Sequence, residues 1–271
     1  MSMQGRIVLV GGGNMGQALL RGWLAEGRTK EDIRVVEPDD AARTVAESLG
    51  VRAAPTLAEL PAGPAVDLVV LAIKPQQLES VLPAYRGVAE GGAVFLSIAA
   101  GKPLSFYERI LGGGAAIVRG MPNTPAAIGR GMTVLTANRT VDAEGRDLCE
   151  RLMAAVGEVA WVGEEALMDA VTAVSGSGPA YVFLFIECLT EAGVEAGLSR
   201  ELAEQLARNT VAGAGAYALR SQLQAAELRR QVTSPGGTTE AALEVLMGES
   251  ALQMLIERAV HAATARGRAL A

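Results

Sequence analysis

Four apolar residues, Ile7-Val8-Leu9-Val10, run straight into Gly11-Gly12-Gly13-Asn14-Met15-Gly16 and then into Gln17-Ala18-Leu19-Leu20. No other stretch limits the fold as tightly, because a strand, a glycine turn and a helix must follow one another without a spacer. Gly11 permits the turn, Gly13 leaves room for a pyrophosphate against the backbone, and Gly16 lets the helix pack close to the strand. Glycine triples also occur in ordinary loops, so the pattern needs a second feature. Ile33-Arg34-Val35-Val36-Glu37 supplies it, as a strand ending in a carboxylate about twenty residues beyond the last glycine, where an acid accepts bonds from an adenosine ribose. Together they predict a dinucleotide cofactor.

The alternation continues. Ala41 to Leu49 suits a helix, Val51-Arg52-Ala53-Ala54 an extended piece, and Gln76 to Leu82 another helix. Leu68 to Ile73, Ala93 to Ile98 and Ala115 to Arg119 read as strands of the kind buried on both faces of a parallel sheet. These runs lead into Lys74-Pro75, Ala99-Ala100-Gly101 and Met121-Pro122-Asn123-Thr124-Pro125. In an open parallel sheet ligands lie beyond the carboxyl ends of the strands, so the three segments are expected at one crevice. Each also has a plain structural reading: Lys74 as a solvated lysine, and Met121 to Pro125 as a turn in which Asn123 bonds its own backbone. Gly131 to Thr136 and Gly157 to Val162 read as two more strands, flanking a helix around Asp147 to Val156.

After Gly163 the strand pattern stops. The expected architecture is α/β, with a Rossmann-like, doubly wound, mostly parallel sheet over residues 1–163 and an all-helical domain over residues 164–271. A helix from Glu165 to about Val174 leads into Ser175-Gly176-Ser177-Gly178-Pro179, and Pro179 suits the first turn of the next helix. That helix, Ala180 to Leu189, is apolar almost all round and must be buried on most sides, which predicts an intertwined homodimer. Ser199 should cap a helix through Leu219, whose Ala212-Gly213-Ala214-Gly215-Ala216 segment allows close approach between helices. Two further helices are expected, from Ala225 to Val232 and from Thr239 to the end.

Composition narrows the partners. Half of the 271 residues are hydrophobic, enough for a sizeable core. A net charge of −6 and a pI of about 5.1 argue against a basic footprint for nucleic acid or an anionic membrane. Uninterrupted apolar runs such as Val182 to Ile186 fall short of a membrane span. Cys149 and Cys188 are the only cysteines and stand far apart, which excludes a disulfide framework and does not resemble a structural zinc site. Met1-Ser2-Met3-Gln4-Gly5-Arg6 carries no signal-peptide pattern. A cytoplasmic protein with a small-molecule ligand and no metal is the expectation.

Val232-Thr233-Ser234-Pro235-Gly236-Gly237-Thr238-Thr239, just before an apolar-periodic helix, reads on its own as a turn with Thr238 or Thr239 as N-cap. The same residues would make an anion pocket, because glycine backbones and a helix start offer unpaired N–H groups. The proton chemistry bears on the choice. Ketone reduction leaves an alkoxide that needs a positioned acid, yet the only histidine, His261, lies among alanines near the end, and Lys30, Lys74 and Lys102 all precede the helical domain. Tyr181 suits core packing. A protonated imine already carries the charge that a hydride neutralises, so a hydroxyl for the nitrogen and a pocket for a carboxylate suffice.

Gly11 to Gly16, Lys74-Pro75, Ser97 to Gly101, Met121 to Pro125, Ser175 to Tyr181 and Ser234 to Thr239 together resemble pyrroline-5-carboxylate reductase, in order and across essentially the whole chain. The resemblance implies reduction of 1-pyrroline-5-carboxylate to proline, the last step of proline biosynthesis, with NADH or NADPH. It implies a dimer through the helical domains, often built into a larger ring such as a decamer. It places the substrate carboxylate on the backbone of Gly236, Gly237 and Thr238, with Ser234, Met121 and Ser177 lining the pocket, and has Thr239 donate to the ring nitrogen. Gly11, Gly13, Asn14, Met15, Gly16, Glu37, Lys74, Pro75, Ala99 and Asn123 are the expected cofactor residues. Glu37 should repel a 2′-phosphate and favour NADH, unless Arg34 or Arg43 folds over to accept one.

Two other readings stand beside it. A 3-hydroxyacid dehydrogenase of similar layout would need a catalytic lysine in the helical domain. A non-catalytic dinucleotide-binding protein would bind cofactor without turnover.

Overall fold

The structure is a computed structural model that describes residues 5–60, 63 and 65–269. Met1 to Gln4, on which the signal-peptide reading partly rests, lie outside the described residues, as do Leu270 and Ala271, where the last predicted helix would end. By contacts the chain divides into two units, one of residues up to Gly176 with those from Ala263 onward, the other of Ser177–Ala262.

The first unit is built on one sheet of strands β1 (Ile7–Val10), β2 (Ile33–Val36), β3 (Arg52–Ala54), β4 (Leu68–Leu71), β5 (Val94–Ser97), β6 (Ala116–Met121), β7 (Gly131–Ala137) and β8 (Gly157–Trp161). Their spatial order is β3-β2-β1-β4-β5-β6-β7-β8. All pairings are parallel except β6 with β7. This is the Rossmann-like, mostly parallel sheet expected. Alternation decides which side chain goes where. Ile7, Leu9, Leu68, Val70, Leu96 and Val118 join the core on one face, under α1 (Asn14–Ala25) and α4 (Ala143–Ala154). Val8, Val10, Val69, Leu71, Phe95 and Ile117 join the core on the other, with Leu78, Tyr85 and the helix α3 (Leu104–Leu111). With both faces covered, the central strands have no use for polar positions, which is why they read as continuous apolar runs. Trp23 locks α1 to α4, donating its indole N–H to the Leu152 carbonyl at 2.9 Å in a fully buried position. A further helix, α2 (Asp40–Ser48), follows β2 and is capped by Asp39, which accepts the Ala42 N–H.

Two predicted helices of this unit are broken. The 76–82 helix is a chain of short turns around a four-residue helix, Leu78–Val81, with Pro75 and Pro83 each opening a 3-10 turn. The 165–174 helix narrows to Met168–Val171 and widens into a π turn over Thr172–Gly176. Single π turns of this kind are frequent at functional sites.

The second unit contains α5 (Gly178–Glu195), α6 (Arg200–Arg220), α7 (Ala225–Gln231), α8 (Thr238–Met247) and most of α9 (Ala251–Arg268). Ser199 caps α6 as expected, accepting the Leu202 N–H. The single helix expected from Thr239 to the end is interrupted after Gly248, where Glu249 and Ser250 take left-handed backbone conformations. Within one chain this unit buries little: Thr190, Ala203 and Ala207 are its buried residues. Phe183 and Leu184 of α5 are 57% and 58% exposed. Burial of α5 on most sides is therefore not met inside one chain. Among the described residues no atom from beyond the helix's own nearby backbone lies within 4 Å of the Cβ positions of Gly213 and Gly215, so no close helix approach is seen there. The stretch Glu165–Glu195 is also long and apolar enough, by length and composition alone, to cross a membrane, because a helix averages over alanines and glycines that uninterrupted run lengths do not count.

Candidate active site

At the head of the sheet the three glycines of the first turn each do a different job. Gly11 takes φ +104° after β1, and a Cβ there would lie 2.5 Å from the Ala72 carbonyl oxygen. A Cβ on Gly16 would lie 2.1 Å from the Gly11 carbonyl oxygen, so helix and turn could not close. Among the described residues a Cβ on Gly13 would meet no atom beyond its own chain neighbours and helix backbone within 4 Å, and Gly13 caps α1 with no side-chain cap bond. Open space above unpaired donors, continued by Asn14 and Met15 at the start of α1, is what a dinucleotide pyrophosphate fits.

Glu37 follows β2 and is held there. Its Oε2 accepts the Gly12 N–H at 2.6 Å and its Oε1 the Asp39 N–H at 2.8 Å. Arg43 donates to the Glu37 carbonyl at 2.9 Å and pairs with Asp40, so it is tied below the turn instead of reaching over it.

The other predicted cofactor residues lie beyond β4, β5 and β6. Lys74 is exposed and starts the Pro75–Gln77 turn, where its backbone N–H donates to Gln77 at 3.2 Å. Ala99 is buried and donates its N–H to Ser97 Oγ at 3.3 Å, and that hydroxyl shares a 2.6 Å hydrogen bond with Tyr107. Burial, the largest influence, pushes the Tyr107 phenol up to about 12, so it stays protonated. The Asn123 side chain bonds partners distant in sequence, where a bond to its own turn was expected. Its Oδ1 accepts the Met132 N–H at 2.9 Å, and its Nδ2 donates to the Ser175 carbonyl and hydroxyl at 3.3 Å, joining the end of β6 to β7 and to the π turn. Met121, last in β6, lies against that turn, since a Cβ on Gly176 would sit 2.5 Å from its terminal methyl.

Sequence reasoning missed a polar link behind this edge. Glu165 Oε1 accepts the Leu104 N–H at 2.7 Å and the Arg119 guanidinium at 3.1 Å, with Arg119 buried. It ties the start of α3 and the end of β6 to the residues before the π turn. Arg119 after an apolar run was the available signal.

In the second unit, Ser234-Pro235-Gly236-Gly237 is a turn closed by the Gly237 N–H on the Ser234 carbonyl at 3.0 Å, with Gly236 at φ +71°. Proline second and a left-handed glycine third are the pattern of a type II turn. Gly237 caps α8 with no side-chain cap bond, so neither Thr238 nor Thr239 is used as the N-cap. The turn and anion readings meet at Gly236, whose N–H donates to Glu240 Oε2 at 2.7 Å: a carboxylate already sits on this loop. The Gly237 N–H closes the turn, and a Cβ there would lie 3.0 Å from the Ser234 carbonyl oxygen. Ser177 opens α5, half-buried, without capping it through its hydroxyl.

A cavity of about 810 Å³ lies elsewhere, lined by Gly5, Arg6, Asp67, Gly92, Asp142 and Arg151 among others. It borders the amino ends of β1, β4 and β5, and no predicted site residue lines it. The carboxyl edge, with its glycine turn and open helix start, has the chemistry.

Residues 165–270 match the family model described as pyrroline-5-carboxylate reductase dimerisation, and residues 6–101 match the model described as NADP oxidoreductase coenzyme F420-dependent. A pyrroline-5-carboxylate reductase of Pseudomonas aeruginosa is 42% identical over 267 residues, 98% of this chain and 97% of that protein. One of Mycobacterium leprae is 40% identical over 293 residues, covering 100% of this chain and 98% of that protein. Among solved structures, a pyrroline-5-carboxylate reductase from Coxiella burnetii superposes with a TM-score of 0.93 at 38% identity, covering 98% of each chain. Pyrroline carboxylate reductase of Plasmodium falciparum, solved with NADP bound, gives 0.83 at 29% identity, over 100% of this chain and 99% of that one.

Proposed function

The chain belongs to the pyrroline-5-carboxylate reductase family, and from that premise we propose that it reduces 1-pyrroline-5-carboxylate to proline with NADH or NADPH, the closing step of proline biosynthesis. The observation that carries this reading beyond the family is the Gly236 N–H holding a carboxylate one turn from the Thr238 and Thr239 hydroxyls.

The coenzyme, when bound, supplies the hydride. Gly13, Asn14 and Met15 would hold its pyrophosphate with backbone N–H groups, and Glu37 would accept from its adenosine ribose. Lys74, Pro75, Ala99 and Asn123 shape the rest of the dinucleotide crevice. The Gly236 and Thr238 N–H groups would orient the substrate carboxylate, with Gly237 admitting it and Ser234 and Ser177 bounding the ring. Thr239 donates to the ring nitrogen. The imine enters protonated at that nitrogen, so when the ring carbon receives a hydride the C=N pair becomes the lone pair of a neutral amine, and it is to this pair that the Thr239 hydroxyl would donate. The rate gain comes from positioning and from a dipole aimed at the atom that gathers charge. No lysine follows Lys102, which removes the acid that a 3-hydroxyacid dehydrogenase would need.

The protein works as a homodimer through its helical domain, the region matched by the dimerisation model. We extend this to a larger ring such as a decamer, tested by light scattering. Both cysteines are free, which suits a reducing cytoplasm.

The test is oxidation of NADH and NADPH with pyrroline-5-carboxylate, with a 3-oxoacid, or with neither. Turnover only with the cyclic imine is expected. Turnover with the 3-oxoacid, or none at all, overturns the reading.

A further inference from the structure

Glu240 is the third residue of α8, and its side chain bends back over the turn to take the Gly236 N–H at 2.7 Å. An acid in the first turn of a helix is favoured by the unpaired donors there, and a glutamate at this place commonly reaches back to the N–H of the N-cap. Here the N-cap is Gly237, whose N–H is spent on the Ser234 carbonyl, so Glu240 takes the donor one residue earlier. That donor is the one assigned above to the substrate carboxylate. The inference therefore rests on the proposed function.

We propose that Glu240 is a specificity-determining residue whose carboxylate competes with the substrate's for the Gly236 N–H, and so sets how tightly a carboxylated imine is taken. One N–H cannot serve two carboxylates in good geometry. Glu240 can yield it cheaply: nothing lies within 4 Å of the Cβ position of Gly236, Gly236 is exposed, and Glu240 is only half-buried, so the freed carboxylate turns to water. An imine without a carboxylate has no claim on that N–H and leaves Glu240 in place. The competition is thus felt by carboxylated substrates alone.

Glu240→Gln separates this from a merely structural cap. The amide keeps an oxygen for the Gly236 N–H but loses the charge, and a neutral hydrogen bond is weaker than a charge-assisted one. The full-length enzyme is assayed with pyrroline-5-carboxylate and with 1-pyrroline, which lacks the carboxylate. In Glu240→Gln the KM for pyrroline-5-carboxylate should fall by about fivefold, with kcat changed by less than about twofold. The KM for 1-pyrroline should not move. Glu240→Ala should shift the same KM in the same direction. The inhibition constant of cyclopentanecarboxylate, an unreactive carboxylate, should fall by about as much as that KM. An unchanged or raised KM for pyrroline-5-carboxylate in the glutamine variant, or equal changes for both imines, overturns the proposal and makes Glu240 a cap only. If the wild-type enzyme reduces neither imine, it is the proposed function that fails, whatever Glu240 does.

Discussion

Glu37 and Gly12 are joined by a 2.6 Å hydrogen bond in which the glycine N–H donates to the carboxylate, and the Asp39 N–H fixes the other oxygen at 2.8 Å. The charge at the end of β2 therefore has a set place beside the glycine turn. A 2′-phosphate brought to that place meets a carboxylate, while a 2′-hydroxyl can donate to it. Wild-type kcat/KM should be higher with NADH than with NADPH. Glu37→Gln keeps the shape without the charge and should raise the NADPH-to-NADH ratio of kcat/KM by on the order of tenfold. Steady-state kinetics with both coenzymes decides it, and a wild-type preference for NADPH would remove Glu37 from this role.

Arg28 follows α1 and is buried. Its Nη1 donates to the Gly5 carbonyl at 2.6 Å, but its Nε and Nη2 have no hydrogen-bond partner among the described residues. Burial lowers its pKa most, Asp32 partly offsets this, and Arg151 lowers it further. A guanidinium with two orphaned donors gives back little of its desolvation cost, so Arg28→Met should leave stability unchanged or raise it by about 1 kcal/mol. Urea unfolding measures this. A clearly lower midpoint at an unchanged slope would show that Arg28 is better partnered in solution.

The parts of the site that were legible in the sequence are those whose chemistry is local. Gly11, Gly13 and Gly16 lie within one turn, so the positive φ at Gly11 and the tight approach at Gly16 follow from local sequence. Residues 232–239 are also local, and there the expected turn forms, with the Gly236 N–H on the Glu240 carboxylate. What escaped notice acts at a distance. Asn123 binds Met132 and Ser175, and Arg119 meets Glu165 from 46 residues away, pairings that only the closed sheet brings about. The same holds for α5, whose apolar surface was plain but whose cover is not found within one chain. Glu240 was missed for another reason: it is local, but an acid in a first helical turn is ordinary, and only the donor it takes makes it of interest.

That exposed apolar surface leads to a third expectation. A dimer interface that covers Phe183 and Leu184 cannot hold an unpaired charge without losing several kcal/mol. Phe183→Glu should therefore weaken self-association by at least about a hundredfold and yield monomers at micromolar concentration. Sedimentation velocity at several concentrations is the measurement. A dimer of wild-type strength would mean that the 57% exposed Phe183 ring lies outside the interface.

Thr239 carries the most specific chemical claim. It is the second residue of α8, its hydroxyl does not cap the helix, and it stands three residues beyond the Gly236 N–H that takes a carboxylate. If it donates to the ring nitrogen, that bond strengthens as the nitrogen gains the electron pair of the C=N bond, so its loss is felt in the transition state more than in binding. Thr239→Val is nearly isosteric and removes only the hydroxyl. It should lower kcat by roughly one to two orders of magnitude, raise the substrate KM little, and leave coenzyme affinity intact, because the residues proposed for the coenzyme are Gly11 to Gly16 and Glu37. Thr239→Ser keeps the donor and should recover most of the rate. The comparison excludes a packing role, which would be relieved by valine and worsened by serine. Equal kcat in the valine variant and the wild type would take the nitrogen contact away from Thr239.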